Sequence, residues 1–245
     1  MKKYEFTGET KVMAGVTLKR IRALISFGFV AKGEIGGFIE DEKNLSHGGN
    51  AWVTENARVT DNARVAGNAR VTDNARVTGN AWVTGNAWVA GNARVTDNAW
   101  VTGNAWVTGN AWVTENARVT DNAWVTENAR VTDNAWVAGN ARVTDNARVA
   151  GNARVTGNAW VAGNARVTDI TDYMLIGSIG SRNDFTTFYK DIDGGISVKC
   201  GCFSGTIEEF REKVEETHGT NTKHAKIYQA AANLAEVQIL DQEAE

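Results

Sequence analysis

From Asn50 to Asp169 the chain repeats one hexad, Asn-Ala-(Arg or Trp)-Val-(Thr or Ala)-(Asp, Glu or Gly), 20 times in 120 residues without a break. Asn, Ala and Val are invariant in every copy. A six-residue unit buries nothing alone, so each copy must be one side of a larger coil whose neighbours complete its core. Ala51 and Val53 stand two apart and share one face of a short strand, while Trp52 and Thr54 take the other. The remaining pair, Glu55-Asn56 or Gly67-Asn68, is turn chemistry, because Asn and Gly enter the left-handed backbone region cheaply.

Strand, corner, strand, corner with small residues inside describes a parallel β-helix in which three hexads, 18 residues, close a triangular coil. The run resembles the hexapeptide repeat of left-handed parallel β-helices, an aliphatic residue followed four places later by a small one, as in Val53 and Ala57 or Val59 and Ala63. That resemblance implies a left-handed coil, against the usual right-handed crossover. The expected fold is therefore an all-β solenoid, a left-handed parallel β-helix with 18 residues per coil, joined to a small C-terminal α+β domain. Strands stacked about 4.8 Å apart make the rod roughly 30 Å long.

Open ends of such a rod need caps. Residues 1–49 read as an N-terminal cap with an irregular first coil, in which Val16–Leu24 is a strand and Ile39 and Leu45 stand six apart. Gly36-Gly37-Phe38-Ile39 and Asn44-Leu45-Ser46 resemble the leader of uncharacterised bacterial and phage β-helix proteins. Residues 50–169 are the rod, and 170–245 a C-terminal domain of a hairpin plus two helices. There Tyr173–Ile176, Phe185–Lys190 and Ile196–Phe203 read as strands. Thr206 with Glu209 forms a capping box before a helix carrying Ile207, Phe210 and Val214. A last helix, about Thr222 to Leu240, spaces Ile227, Ala230, Ala231, Leu234 and Val237 helically. The stretch 176–219 resembles a module of phage and prophage proteins.

The outward Arg or Trp is the variable that carries information, and sorting it by 18 gives one column per face. The first is Trp52, Arg70, Trp88, Trp106, Trp124, Arg142, Trp160; the second Arg58, Arg76, Arg94, Trp112, Arg130, Arg148, Arg166; the third Arg64, Trp82, Trp100, Arg118, Trp136, Arg154. Trp neighbours one coil apart can stack on each other with Arg supplying cation–π contacts. A contiguous exposed Trp stripe is also the chemistry of a protein interface. The binding candidates are therefore Trp52, Trp88, Trp106, Trp124, Trp160, Trp82, Trp100 and Trp136 with Arg70 and Arg142. For the Arg column, corner acids such as Asp61, Asp97 and Asp133 are expected to pair with guanidinium groups.

Other classes fit less well. Acyl transfer, which the resemblance suggests, needs a histidine base on a coil and a loop leaving it, yet the rod has neither; the histidines are His47, His218 and His224. Eleven Arg oppose ten acids in the repeat, and the chain's formal charge is −3, so no strong field for nucleic acid exists. Cys200 and Cys202, read as sharing one face of a strand, supply half a zinc site at most, so no metal or cofactor is expected. They form, with Arg182 and Asn183 of the preceding turn, a candidate C-terminal site. Two cysteines, no long apolar run and no signal core suggest a soluble cytoplasmic protein. The reading is a non-catalytic phage-type binder that docks on another protein, for example a bacterial host defence factor; the alternatives are a glycan binder, a self-assembling homo-oligomer and, third, an acyltransferase.

Overall fold

The computed structural model describes residues 1–240. Each hexad forms a two-residue strand, from Trp52–Val53 to Arg166–Val167. Up to the last coil each strand pairs in parallel with the one 18 residues on, so that Trp88 lies opposite Trp106 and Val89 opposite Val107. The result is a parallel β-solenoid with three sheets, one per column. Rung-to-rung bonds such as Arg70 N–H to Ala87 O at 2.9 Å and Thr72 N–H to Val89 O at 2.9 Å tie successive coils. The Val and Ala columns are buried throughout and form one continuous core.

The corners differ from the sequence reading in a specific way. The left-handed residue is the acid or glycine at the hexad's end, for example Asp61 at φ 58° and Gly67 at φ 66°, and the Asn that follows is not left-handed. Asn instead builds ladders along the rod: Asn50, Asn68, Asn86 and Asn104 each pass an Nδ2–H to the Oδ1 of the Asn 18 residues on at 2.9 to 3.1 Å. The corner acids do not pair with the repeat arginines. Asp73 accepts the Thr72 hydroxyl at 3.0 Å and the Gly91 N–H at 2.7 Å, because the left-handed turn sends its carboxylate along the rod toward the next coil. Among the described residues no repeat arginine makes an ion pair, which corrects the expectation for the Arg column.

Two successive acids at one corner oppose each other. The Gly151 N–H holds Asp133 below the usual carboxylate range, and the side-chain contact with Asp133 pushes Glu115 up. A raised carboxyl is penalised in the fold while ionised, above its folded pKa, and the penalty vanishes once it is protonated. Glu115→Gly, already the residue at many equivalent corners, is therefore expected to raise the melting temperature at pH 7. That gain should shrink as pH falls through the Glu115 titration; an equal gain at pH 7 and pH 4 would contradict it.

The N-terminal cap starts with a hairpin, β1 Tyr4–Met13 and β2 Val16–Ala23, which the sequence reading gave only its second strand. Next comes β3, Ile35–Ile39, which joins the rod in parallel with Ile39 beside Val59; Leu45 follows beside Val65. These two residues top the Val columns of two faces. Gly36 and Gly37 are required because a Cβ on either would meet the Val53 or Ala57 carbonyl at 2.7 or 2.8 Å. Buried Lys3 closes the end, its Nζ donating to the Ala51 carbonyl at 2.8 Å, and desolvation lowers its pKa to about 8. The Tyr4 hydroxyl donates to Leu45 O at 2.9 Å.

At the other end an antiparallel sheet of four strands, Tyr173–Ile179, Asp184–Lys190, Ile196–Cys200 and Phe203–Thr206, covers the last coil. Tyr189 enters the rod's core, Thr187 Oγ1 accepts the Trp160 N–H at 3.0 Å, and Ile192 N–H donates to Asn164 O at 3.1 Å. Buried polar backbone at a solenoid end needs such partners. Helices α1 (Ile207–His218) and α2 (Lys223–Leu240) pack on a second core with Phe188 and Val198. The Thr206–Glu209 capping box is present.

Two readings of this domain are corrected. Ile196–Phe203 is not one strand: Gly201, at φ 60°, breaks it into a hairpin, so Cys202 sits in the turn and shares no strand face with Cys200. Helix α2 buries Ala225, Tyr228, Ala231, Ala232, Ala235 and Ile239, leaving Leu234 and Val237 54% and 59% exposed. The alanine-rich face lets the helix approach the sheet closely, and the larger side chains lose that competition.

Candidate functional site

The first column forms a flat wall whose outward rings are held in fixed positions. Trp106 and Trp124 stack 5.3 Å apart at 9°, as parallel strand register one coil apart dictates. Trp88 tilts 57° from Trp106 at 4.8 Å, and its Nε1–H donates to Thr72 Oγ1 at 3.3 Å. Trp160 is fixed likewise by Thr144 at 3.3 Å, and Trp136 on the third wall by Thr120 at 3.0 Å. The Arg142 guanidinium lies between two rings, 5.2 Å from Trp124 and 5.4 Å from Trp160. Stacking does not cover the rings: Trp106 and Trp124 remain 37% and 40% exposed. Self-stacking and an exposed contact surface are thus one arrangement, since rings stacked edge-out along the wall order each other while leaving their outer surface to solvent.

Trp52 does not belong to this surface. It is 2% exposed, packed under Phe27 at 5.4 Å and Tyr4 at 6.3 Å, because the cap folds over the first rung. The third wall holds a shorter stack, Trp82 on Trp100 at 5.6 Å and 9°, capped by Arg64 and Arg118. Trp136 there meets Arg154 at 5.7 Å. On the second wall the arginines sandwich Trp112, Arg94 at 4.6 Å and Arg130 at 5.0 Å. Each exposed cation–π contact is worth about 0.5–1 kcal/mol.

Both ends of the Trp wall are framed by residues that periodicity does not reveal. At the N-terminal end Phe29, 89% exposed, projects from the cap loop over Arg70, whose guanidinium lies 4.2 Å from its ring. Between this loop and Trp88 and Trp106 lies a groove of about 560 Å³. At the C-terminal end Lys199 Nζ sits 4.2 Å over Trp160, and Phe185 and Asp184 help enclose a second groove of about 390 Å³. Only the exposed aromatic in a Gly28-Phe29 turn and the cation next to Cys200 could have signalled these, and neither lies in the repeat.

The candidate C-terminal site is assembled in part. Arg182, Cys200, Cys202, His218 and Tyr228 line a cleft of about 480 Å³, whereas Asn183 lies in the exposed turn outside it. Arg182 Nη1 is 3.7 Å from Cys202 Sγ, and Thr186 Oγ1 is 3.2 Å from Cys200 Sγ. Burial and the neighbouring Cys200 push the Tyr228 hydroxyl up. His47, by contrast, lies in the N-terminal cap, stacked on Tyr4 at 4.4 Å. Among the described residues no group of three or more His, Cys, Asp or Glu could hold a metal ion, and no helix is long and apolar enough to cross a membrane.

These walls and ladders define a parallel β-solenoid repeat protein. A family model described as the YdcK beta solenoid repeat matches residues 147–163, about one coil of the rod. No curated protein matches the chain.

Proposed function

We propose that this solenoid is a non-catalytic binding protein that docks on another protein through its first wall. The observation that carries the reading is the exposed, parallel Trp106–Trp124 stack with Arg142 beside it. Trp and Arg fixed in position before contact lose little conformational entropy on binding, which is the usual composition of an interface hot spot. The resemblance of the leader and the C-terminal module to phage proteins supports a bacterial host protein as the target, in the cytoplasm, with a defence factor inhibited by steric occlusion.

The double variant Trp106→Thr with Trp124→Thr tests this. Both side chains point outward, so the fold should persist, while each lost anchor is expected to weaken partner binding by about 2 kcal/mol. Pull-down from bacterial lysate with wild type and variant side by side, followed by titration of the retained protein, measures the loss. Retention of every partner by the variant would remove the first wall from the interface. Wild-type rods that capture only each other would favour self-assembly.

A further inference from the structure

We propose that the groove between the cap loop and the N-terminal end of the Trp wall is a binding site for a neutral oligosaccharide. The groove joins three kinds of surface. Trp88 and Trp106 supply aromatic surface, Phe29 forms the opposite lip, and the Asn68–Asn86 ladder runs along it. Pyranose rings present apolar C–H faces for stacking on aromatic rings and hydroxyls at the edge for amides.

The groove's charge is balanced, which favours a neutral ligand. The two charged side chains lining it are Arg70 and Glu34, one of each sign, Arg70 lying against Phe29 and Glu34 accepting the Ala31 N–H at 3.1 Å. Hydrogen-bonding capacity separates a sugar from an extended peptide. A peptide that adds a strand needs free backbone N–H and C=O groups along an edge. This wall's amides are spent between coils, Trp52 N–H on Ala69 O at 3.0 Å and Trp88 N–H on Ala105 O at 2.9 Å. What remains is side-chain amide: each ladder Asn commits one Nδ2–H along the rod and keeps the second.

The site shares Trp106 with the docking wall but does not rest on the protein-docking reading. Its test uses Phe29→Ala and Asn86→Ala, both at exposed positions that bury little, with circular dichroism to confirm the fold. The probes are the β-1,4-linked hexamers of glucose and of N-acetylglucosamine, a sulfated heparin hexamer and polyglutamate, titrated with tryptophan fluorescence and calorimetry. One of the two neutral hexamers is expected to bind, and each variant to weaken it roughly tenfold, equivalent to about 1.4 kcal/mol. Trp112→Thr, on the second wall and outside the groove, should leave that affinity unchanged, and Phe29→Ala and Asn86→Ala leave the Trp106–Trp124 stack in place, which keeps this site distinguishable from the docking surface. Binding of neither neutral hexamer, binding insensitive to both variants, or Phe29-dependent binding of heparin or polyglutamate instead would overturn the assignment.

Discussion

Val107→Asp is expected to abolish the folded rod at 25 °C, while Trp106→Asp, one residue away, leaves it standing. Val107 is fully buried between Val89 and Val125 in a column of identical residues, and Trp106 on the same strand points to solvent. Burying a valine side chain is worth roughly 1.5–3 kcal/mol. An unpaired carboxylate in its place costs several kcal/mol more, because the interior offers no counter-ion and no donor. Each coil has only three Val and three Ala inside, so no bulky neighbour can rotate to shield the charge. Domains of ordinary stability hold about 5–15 kcal/mol in total, and contacts in a solenoid reach only adjacent coils, so a break at mid-rod is not compensated from the ends. Loss of the strand spectrum in circular dichroism for Val107→Asp but not for Trp106→Asp is the expected pair of results. A native-like spectrum and melt for Val107→Asp would mean that the Val column is not a dry core.

The rod was legible in the sequence for one physical reason: in a solenoid the residue 18 places on is also the neighbour in space. Translational repetition turns sequence position into contact, so the Trp and Arg columns could be written down without a structure. What broke the translation was not legible. Trp52 carries the same hexad context as Trp106, and only the aperiodic cap, with Phe27 and Tyr4, buries it. Phe29 and Lys199 reach the Trp wall from outside the repeat, so the two grooves had no periodic signal. Counting charges at the corners ignores direction: a left-handed turn aims the carboxylate along the rod axis at an N–H, away from the guanidinium on the flat wall. In α2 helical spacing marks the bulky side chains, while close fit to the sheet selects the alanine face. Gly201 lies within an otherwise strand-like run, where an isolated glycine signals a break.

Deletions within the rod should show two periods, six for stability and 18 for alignment of the caps. Removing 101–103 takes out a valine and a corner glycine and joins Trp100 directly to Asn104. No strand can then span that side with Ala and Val both inward, and the rung bonds to the coils on either side are lost. The expected cost is about 3 kcal/mol or more, from one lost apolar side chain and several unmade buried hydrogen bonds. Removing 98–103, a whole hexad, leaves every remaining Ala, Val and Asn in an equivalent column, so the melt should stay near wild type. It also advances all later residues by one wall, which carries Lys199 and Trp160 to a different face from Phe29 and Trp88. Removing 86–103, one whole coil, keeps the melt near wild type and returns Lys199 and Trp160 to the face of Phe29; Trp88 leaves with the coil, and Trp106 and Trp124 stay stacked. Thermal melts across the three deletions, read with partner titration on the folded ones, separate the two periods. A 98–103 deletion that unfolds would show that stability depends on the caps facing one wall, and a 101–103 deletion that melts like wild type would contradict the six-residue side of the coil.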